Sequence, residues 1–155
     1  MVVLLLGSEK DRQWAQKITG VLQEFGVSHH THIASAHKTP EYLLEIVRKY
    51  EKQNKPLVYI CIAGGSNALG GFVDAHVVHP VINCPPYSEK YAGLDILSSL
   101  RMPSGVSPVT VLEPEQAALA ASKMLALGSA ELTKKVTKYQ KRIKKKIVGS
   151  QKALG

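Results

Sequence analysis

Val2-Val3-Leu4-Leu5-Leu6-Gly7-Ser8 and Leu57-Val58-Tyr59-Ile60-Cys61-Ile62-Ala63-Gly64-Gly65 decide the fold. Each is a short, unbroken apolar run that stops at glycine. A strand covered on both faces has this look, because neither face needs a polar alternation, and such strands belong to parallel sheets packed between helices. Between and after them, strand and helix patterns alternate. Asp11 to Phe25 carries Trp14, Ile18, Val21, Leu22 and Phe25 at helical spacing, with Gly26 able to stop it. Ser28 to Ala34 is a more polar strand suited to an edge. Pro40 to Lys52 is helical, with Leu43, Leu44, Val47 and Tyr50 on one face. Asn67 to Ala75 forms a glycine-loosened helix. Val81 to Cys84 is a strand ending at Pro85-Pro86, Leu94 to Leu100 a short helix, Val109 to Leu112 the fifth strand, and Glu115 to Leu127 an alanine-rich helix closed by Gly128. The pattern predicts an α/β domain: a three-layer, doubly wound parallel sheet with flavodoxin-like strand order 2-1-3-4-5.

The chain has 155 residues, 45% hydrophobic and 21% charged, which suits a single domain with its own core and argues against disorder. Residues 1–155 therefore read as one domain. No apolar run is long enough to cross a membrane, and Met1 to Leu6 is too short for a secretory signal. Cys61 and Cys84 cannot make a disulfide scaffold or a cysteine-only zinc site; in apolar stretches they read as buried free thiols in a reducing cytoplasm. The net charge of +8 is local. Nine basic residues and no acidic ones lie between Thr133 and Gly155, which leaves 11 basic against 12 acidic residues in 1–132. Binding of nucleic acid would have to come from that tail alone. Residues 130–153 form an appended basic amphipathic helix whose Leu132, Val136, Tyr139, Ile143 and Ile147 recur every three or four positions; a neighbouring subunit is the expected cover for that stripe.

In a sheet of this kind ligands bind beyond the carboxyl ends of the strands, near the reversal in strand order. The unusual segments fall there. Gly7-Ser8-Glu9-Lys10-Asp11 is a strand-to-helix turn: Ser8 and Asp11 are either helix caps or contacts for a phosphate and a ribose hydroxyl. His37, in Ser35-Ala36-His37-Lys38-Thr39-Pro40, is either a surface loop residue or a proton carrier reachable by a ligand, with Lys38 beside it to meet an anion. Gly64-Gly65-Ser66-Asn67 allows close backbone approach to a flat ligand, or simply close helix packing. His29, His30 and His32 look like a metal tract, but only His30 and His32 share a strand face and no third ligand accompanies them, so no metal is expected. His76 and His79 read as structural. A Walker-type ATP loop, a dinucleotide fingerprint and a nucleophile elbow are all missing from the pattern.

Taken together, Gly7-Ser8-x-x-Asp11, Ser35-Ala36-His37-Lys38-Thr39-Pro40, Ala63-Gly64-Gly65-Ser66-Asn67, Asn83-Cys84-Pro85-Pro86 and Ser98-Ser99-Leu100-Arg101-Met102-Pro103-Ser104-Gly105 resemble the 5-aminoimidazole ribonucleotide (AIR) carboxylase family of purine biosynthesis, over roughly Val2 to Leu127. Class I members move a carboxyl group within the N5-carboxylated ribonucleotide; class II members carboxylate AIR directly with CO2. Lys38 where class I has arginine, Ser66-Asn67 in place of an alanine pair, Ala68 in place of a loop histidine, and Ser98-Ser99-Leu100-Arg101 all look like class II. The resemblance implies a lyase without cofactor, ATP, biotin or metal, with AIR and CO2 as substrates. It implies His37 and Lys38 as catalytic residues. Ser8 and Asp11 would hold phosphate and ribose, Ser35 and Gly65 would line the pocket, and Lys38, Ser66 and Asn67 would meet the carboxylate. Lys10 stands where the family usually has serine. The resemblance also implies a homo-oligomer, an octamer, in the cytoplasm. The alternatives are the class I mutase and, of another kind, a nucleotide-sensing or RNA-binding module, which the neutral body and the missing RNA-recognition aromatics disfavour.

Overall fold

The computed structural model describes residues 1–152. Five strands, β1 (Val2–Leu6), β2 (His29–Ile33), β3 (Val58–Ile62), β4 (Val81–Asn83) and β5 (Val109–Thr110), form one all-parallel sheet in the order β2-β1-β3-β4-β5. This is the expected order. β1 lies between β2 and β3, with Val2 opposite both His29 and Val58, and every residue of β1 is fully buried. Full burial on both faces is what its unbroken apolar run required.

Helices cover both faces. On one, Val2, Leu4 and Leu6 meet α1 (Arg12–Phe25) through Ile18, Leu22 and Phe25, and α5 (Pro114–Ala126) through Ala117, Ala118 and Ala121. On the other, Val3 and Leu5 meet Leu43, Ile46, Val47 and Tyr50 of α2 (Pro40–Glu51) and Leu69 and Val73 of α3 (Leu69–Asp74). Even and odd positions of β1 thus serve two different cores. Gly26 ends α1 in the left-handed conformation, φ +67, which glycine adopts without Cβ strain. The short α4 (Leu97–Leu100) follows a one-turn 3-10 segment at Leu94–Ile96.

Several boundaries differ from the sequence reading. β5 stops at Thr110: Val111 gives one more backbone bond to Asn83, and the chain then leaves for Pro114. α3 begins at Leu69 because Asn67, expected to start it, is bonded to Ser98 and Ser99. On α2, Ile46 is buried where Leu44 was expected and Leu44 is half-buried.

The terminal helix α6 (Ala130–Lys152) brings the main correction. Its apolar stripe does not wait for a neighbour along its whole length. Leu132, Val136 and Tyr139 pack on the α1–α5 core of the same chain, and the Tyr139 ring meets Phe25 edge-on at 5.2 Å. Arg142 pairs with Glu24 of α1. Only Ile143 and Ile147, with Val148 beside them, remain exposed. A helical stripe says that a face must be covered, not by which chain. Ala153, the last residue of the expected helix, lies outside the described residues.

Candidate active site

At the carboxyl edge of the sheet, where β1, β2, β3 and β4 end, the loops enclose a cavity of about 410 Å³. Gly7, Ser8, Lys10 and Asp11 form one wall, Ser35, Ala36 and His37 a second, and Gly64, Gly65, Ser66, Ala68 and Leu69 a third; Pro86, Tyr87 and Ser88 close it.

The first wall is a tight turn. Oδ2 of Asp11 accepts from the Ser8 amide at 2.9 Å and from the Ser8 hydroxyl at 3.0 Å. Asp11 is nearly buried, and burial holds its carboxyl above the ordinary aspartate range against the pull of the two Ser8 bonds. Ser8 and Asp11 therefore cap the turn and also line the cavity. Gly7 packs against the Ala63 side chain at the end of β3, leaving no slack for a Cβ.

The second wall is a turn closed on itself. Ser35 Oγ accepts from the Lys38 amide at 3.2 Å, the Ser35 amide donates to Thr39 Oγ1 at 3.0 Å, and the Thr39 amide donates to the Ser35 carbonyl at 2.9 Å. Pro40 then opens α2. The turn presents His37, exposed, to the cavity. Lys38 is exposed and does not line the wall.

The third wall is held from below. Gly65 has φ +67, and its amide donates to Asp95 Oδ2 at 2.9 Å. Ser98 Oγ lies 3.0 Å from the Gly65 carbonyl and accepts from the Asn67 amide at 3.0 Å. Asn67 itself is buried: its Nδ2 donates to Ser99 Oγ at 2.9 Å, away from the cavity. Gly64, Ser66 and Ala68 are the exposed members of this loop.

The structure thus gathers Ser8, Asp11, Ser35, His37, Gly65 and Ser66 around one cavity, and leaves Lys38 and Asn67 off its wall. The sequence reading gave no role to Asp95 and Ser98, which lie some thirty residues beyond the loop they hold. Their signal was spacing: Asp95, Ser98 and Ser99 fall on one face of a helical turn, as residues three and four apart do. The cavity has no thiolate to offer, since burial pushes the Cys84 thiol up to about 11 and Cys61 higher still. Four other histidines are engaged elsewhere: His29 Nδ1 meets the Val27 carbonyl at 3.2 Å, His32 Nε2 meets Tyr50 OH at 2.7 Å, His79 Nδ1 meets Glu51 at 2.8 Å, and His76 Nδ1 meets the Phe72 carbonyl at 2.7 Å, while His30 is exposed and does not line the cavity.

Comparison with known proteins gives a consistent family. The family profile described as AIRC, AIR carboxylase, matches residues 1–146. A phosphoribosylaminoimidazole carboxylase of Archaeoglobus fulgidus is 47% identical over 152 residues, covering 98% of this chain and 83% of the relative. One from Treponema denticola is 46% identical over 148 residues, covering 96% and 93%. The crystal structure of Treponema denticola PurE superposes with a TM-score of 0.97 at 45% identity, covering 99% of this chain and 97% of the other.

Proposed function

The chain belongs to the AIR carboxylase family and carboxylates AIR in purine biosynthesis, and from that premise we propose that it joins CO2 directly to the imidazole carbon, with no ATP, biotin or metal. One observation carries the reading: His37, a solvent-reachable imidazole, shares a cavity with an anion-ready turn and a glycine wall.

The amino group of AIR makes the neighbouring ring carbon an enamine-type nucleophile. That carbon attacks CO2, a carbon–carbon bond forms, and the ring is left carrying one proton too many. His37 takes that proton, aromaticity returns, and the exposed imidazolium passes the proton to water. The protein's task is alignment and charge stabilisation. The Ser8 hydroxyl turns from Asp11 to receive the phosphate together with the turn amides not held by Asp11, and Lys10 adds a cation where the family usually has serine. Asp11 accepts from the ribose, and Ser66 meets the new carboxylate. Lys38 and Asn67 act one step back, Lys38 through its charge and Asn67 by bracing the loop through Ser99.

No helix among the described residues is long and apolar enough to cross a membrane. Buried free thiols fit a reducing cytoplasm. We further propose a homo-oligomer, an octamer as the resemblance implies. Leu94, Leu97 and Leu100 beside the site are each more than half exposed, and Ile143 and Ile147 continue the α6 stripe into solvent. Light scattering on the full chain and on a chain ending at Gln140, which keeps Leu132, Val136 and Tyr139, tests this. A monomeric full chain would overturn it.

The chemistry is tested by supplying either AIR with bicarbonate and carbonic anhydrase, or the N5-carboxylated ribonucleotide. Turnover is expected with the first, and with the second only as fast as its spontaneous breakdown releases AIR. Faster use of the N5-carboxylated compound would make the enzyme a mutase.

A further inference from the structure

Loops that receive a small, weakly held reactant work only if their backbone is fixed in advance, because CO2 offers too few contacts to order them. The loop 64–67 has little of its own to fix it. It contains two glycines, and Gly65 sits at φ +67, in the left-handed region. Among the described residues its bracing comes from one segment, the turn and helix at 94–100. The Asp95 carboxylate takes the Gly65 amide at 2.9 Å. The Ser98 hydroxyl reaches the Asp95 carbonyl at 2.7 Å and the Gly65 carbonyl at 3.0 Å, sharing its one hydrogen between them, and its oxygen accepts the Asn67 amide at 3.0 Å. The Ser98 side chain therefore holds both peptides that flank Ser66, the Asp95 side chain holds the peptide before them, and Ser66 is left exposed on the cavity wall.

We propose that Asp95 and Ser98 are positioning residues for the reaction: together they clamp Gly65 and Asn67 so that Ser66 faces the carboxyl group being transferred. Neither residue lines the cavity, so neither touches substrate. Asp95 acts as an acceptor and not as a charge, since a neutral amide oxygen can take the same N–H.

The kinetic arm of the test rests on the direct-carboxylation reading; the exchange arm does not. Asp95→Ala should lower kcat about 10- to 100-fold, the size expected when a positioned group drifts by about an ångström. KM for AIR should change little, because phosphate and ribose sit on the Ser8–Asp11 turn. Asp95→Asn should recover most of the loss. In the full-length protein, amide hydrogen exchange should quicken at Gly65 in Asp95→Ala and at Asn67 in Ser98→Ala, and AIR should leave those rates fast. The Ser98→Ala variant carries the test if Asp95→Ala does not fold. The proposal is overturned if Asp95→Asn is as damaged as Asp95→Ala, which would make the charge the agent. It is also overturned if Gly65 and Asn67 exchange at unchanged rates in the two alanine variants. If the wild type fails to carboxylate AIR, the exchange rates alone decide, and a quickened loop still supports the clamp.

Discussion

At the carboxyl edge of the sheet, His37 is exposed and lines the cavity. Around the amino edge, imidazoles are committed to the fold. His79 is tied to Glu51, whose carboxylate also takes the Tyr59 hydroxyl at 3.0 Å and the Val78 amide at 3.3 Å, so that the end of α2, the β3 strand and the approach to β4 are joined. His29 is held by the Val27 carbonyl, and His32 by Tyr50. The sequence offers six histidines, three of them within four residues, and the crowded ones look the more chemical. What separates His37 from His29, His32 and His79 is whether the ring nitrogens already have partners, and what separates it from exposed His30 is its place on the cavity wall. A histidine bonded within the fold supports structure, and one left open on a cavity can move protons.

That contrast is broken or sharpened by substitutions at each end. His37→Asn should lower kcat at least ~100-fold, as expected for a lost general base, with KM and melting temperature near those of the wild type. An unchanged kcat would remove His37 from the chemistry. At the other end, Glu51→Ala should do the reverse. It leaves His79, Tyr59 and the Val78 amide without their partner, at a cost of about 1–3 kcal/mol, read by chemical denaturation, while activity per folded molecule is kept. A loss of activity without a loss of stability would mean that the two ends are coupled.

Asp11 stands on the functional side with a stability cost of its own. Its carboxyl is held above the ordinary aspartate range by burial, so folding favours the protonated form. Stability from this group is fully present below the unfolded aspartate value and is lost as pH rises through the folded one. Asp11→Asn should accordingly raise the melting temperature at pH 7, with the gain vanishing in acid, while KM for AIR rises. The smallest effect belongs to His32. Burial first, and then the His30 and Lys49 charges, lower its pKa, so its contribution to stability falls as pH drops below the ordinary histidine value of about 6.5. His32→Gln should flatten the melting-temperature profile between pH 7 and 5. An unaltered slope would place the acid sensitivity elsewhere.

The sheet was legible because β1 and β3 are unbroken apolar runs, and the place of the site followed from their glycine-terminated ends. The cavity walls at Ser8, Ser35, His37 and Ser66 were legible as well, since each follows directly on a strand. Periodicity could not tell which surface covers Leu132, Val136 and Tyr139, because a stripe carries no address. Nor could the sequence show that the Asn67 side-chain amide turns inward to Ser99, or that Asp95 reaches back to Gly65, because both depend on contacts some thirty residues apart. Short β5 was overread for a related reason: an apolar run of four residues is extended, but pairing lasts only as long as β4 lies beside it.

The central claim, that the His37 cavity carboxylates AIR directly, is tested most directly by mixing AIR with 13C-labelled CO2, without ATP, and following the ring carboxyl by NMR in the wild type and in His37→Asn. The account predicts label in the carboxyl group bonded to the imidazole carbon of the product without a lag in the wild type, and almost none on the same timescale in the variant. Ring carboxylation that occurs only when the N5-carboxylated ribonucleotide is added, or label that arrives equally fast in both proteins, would contradict it.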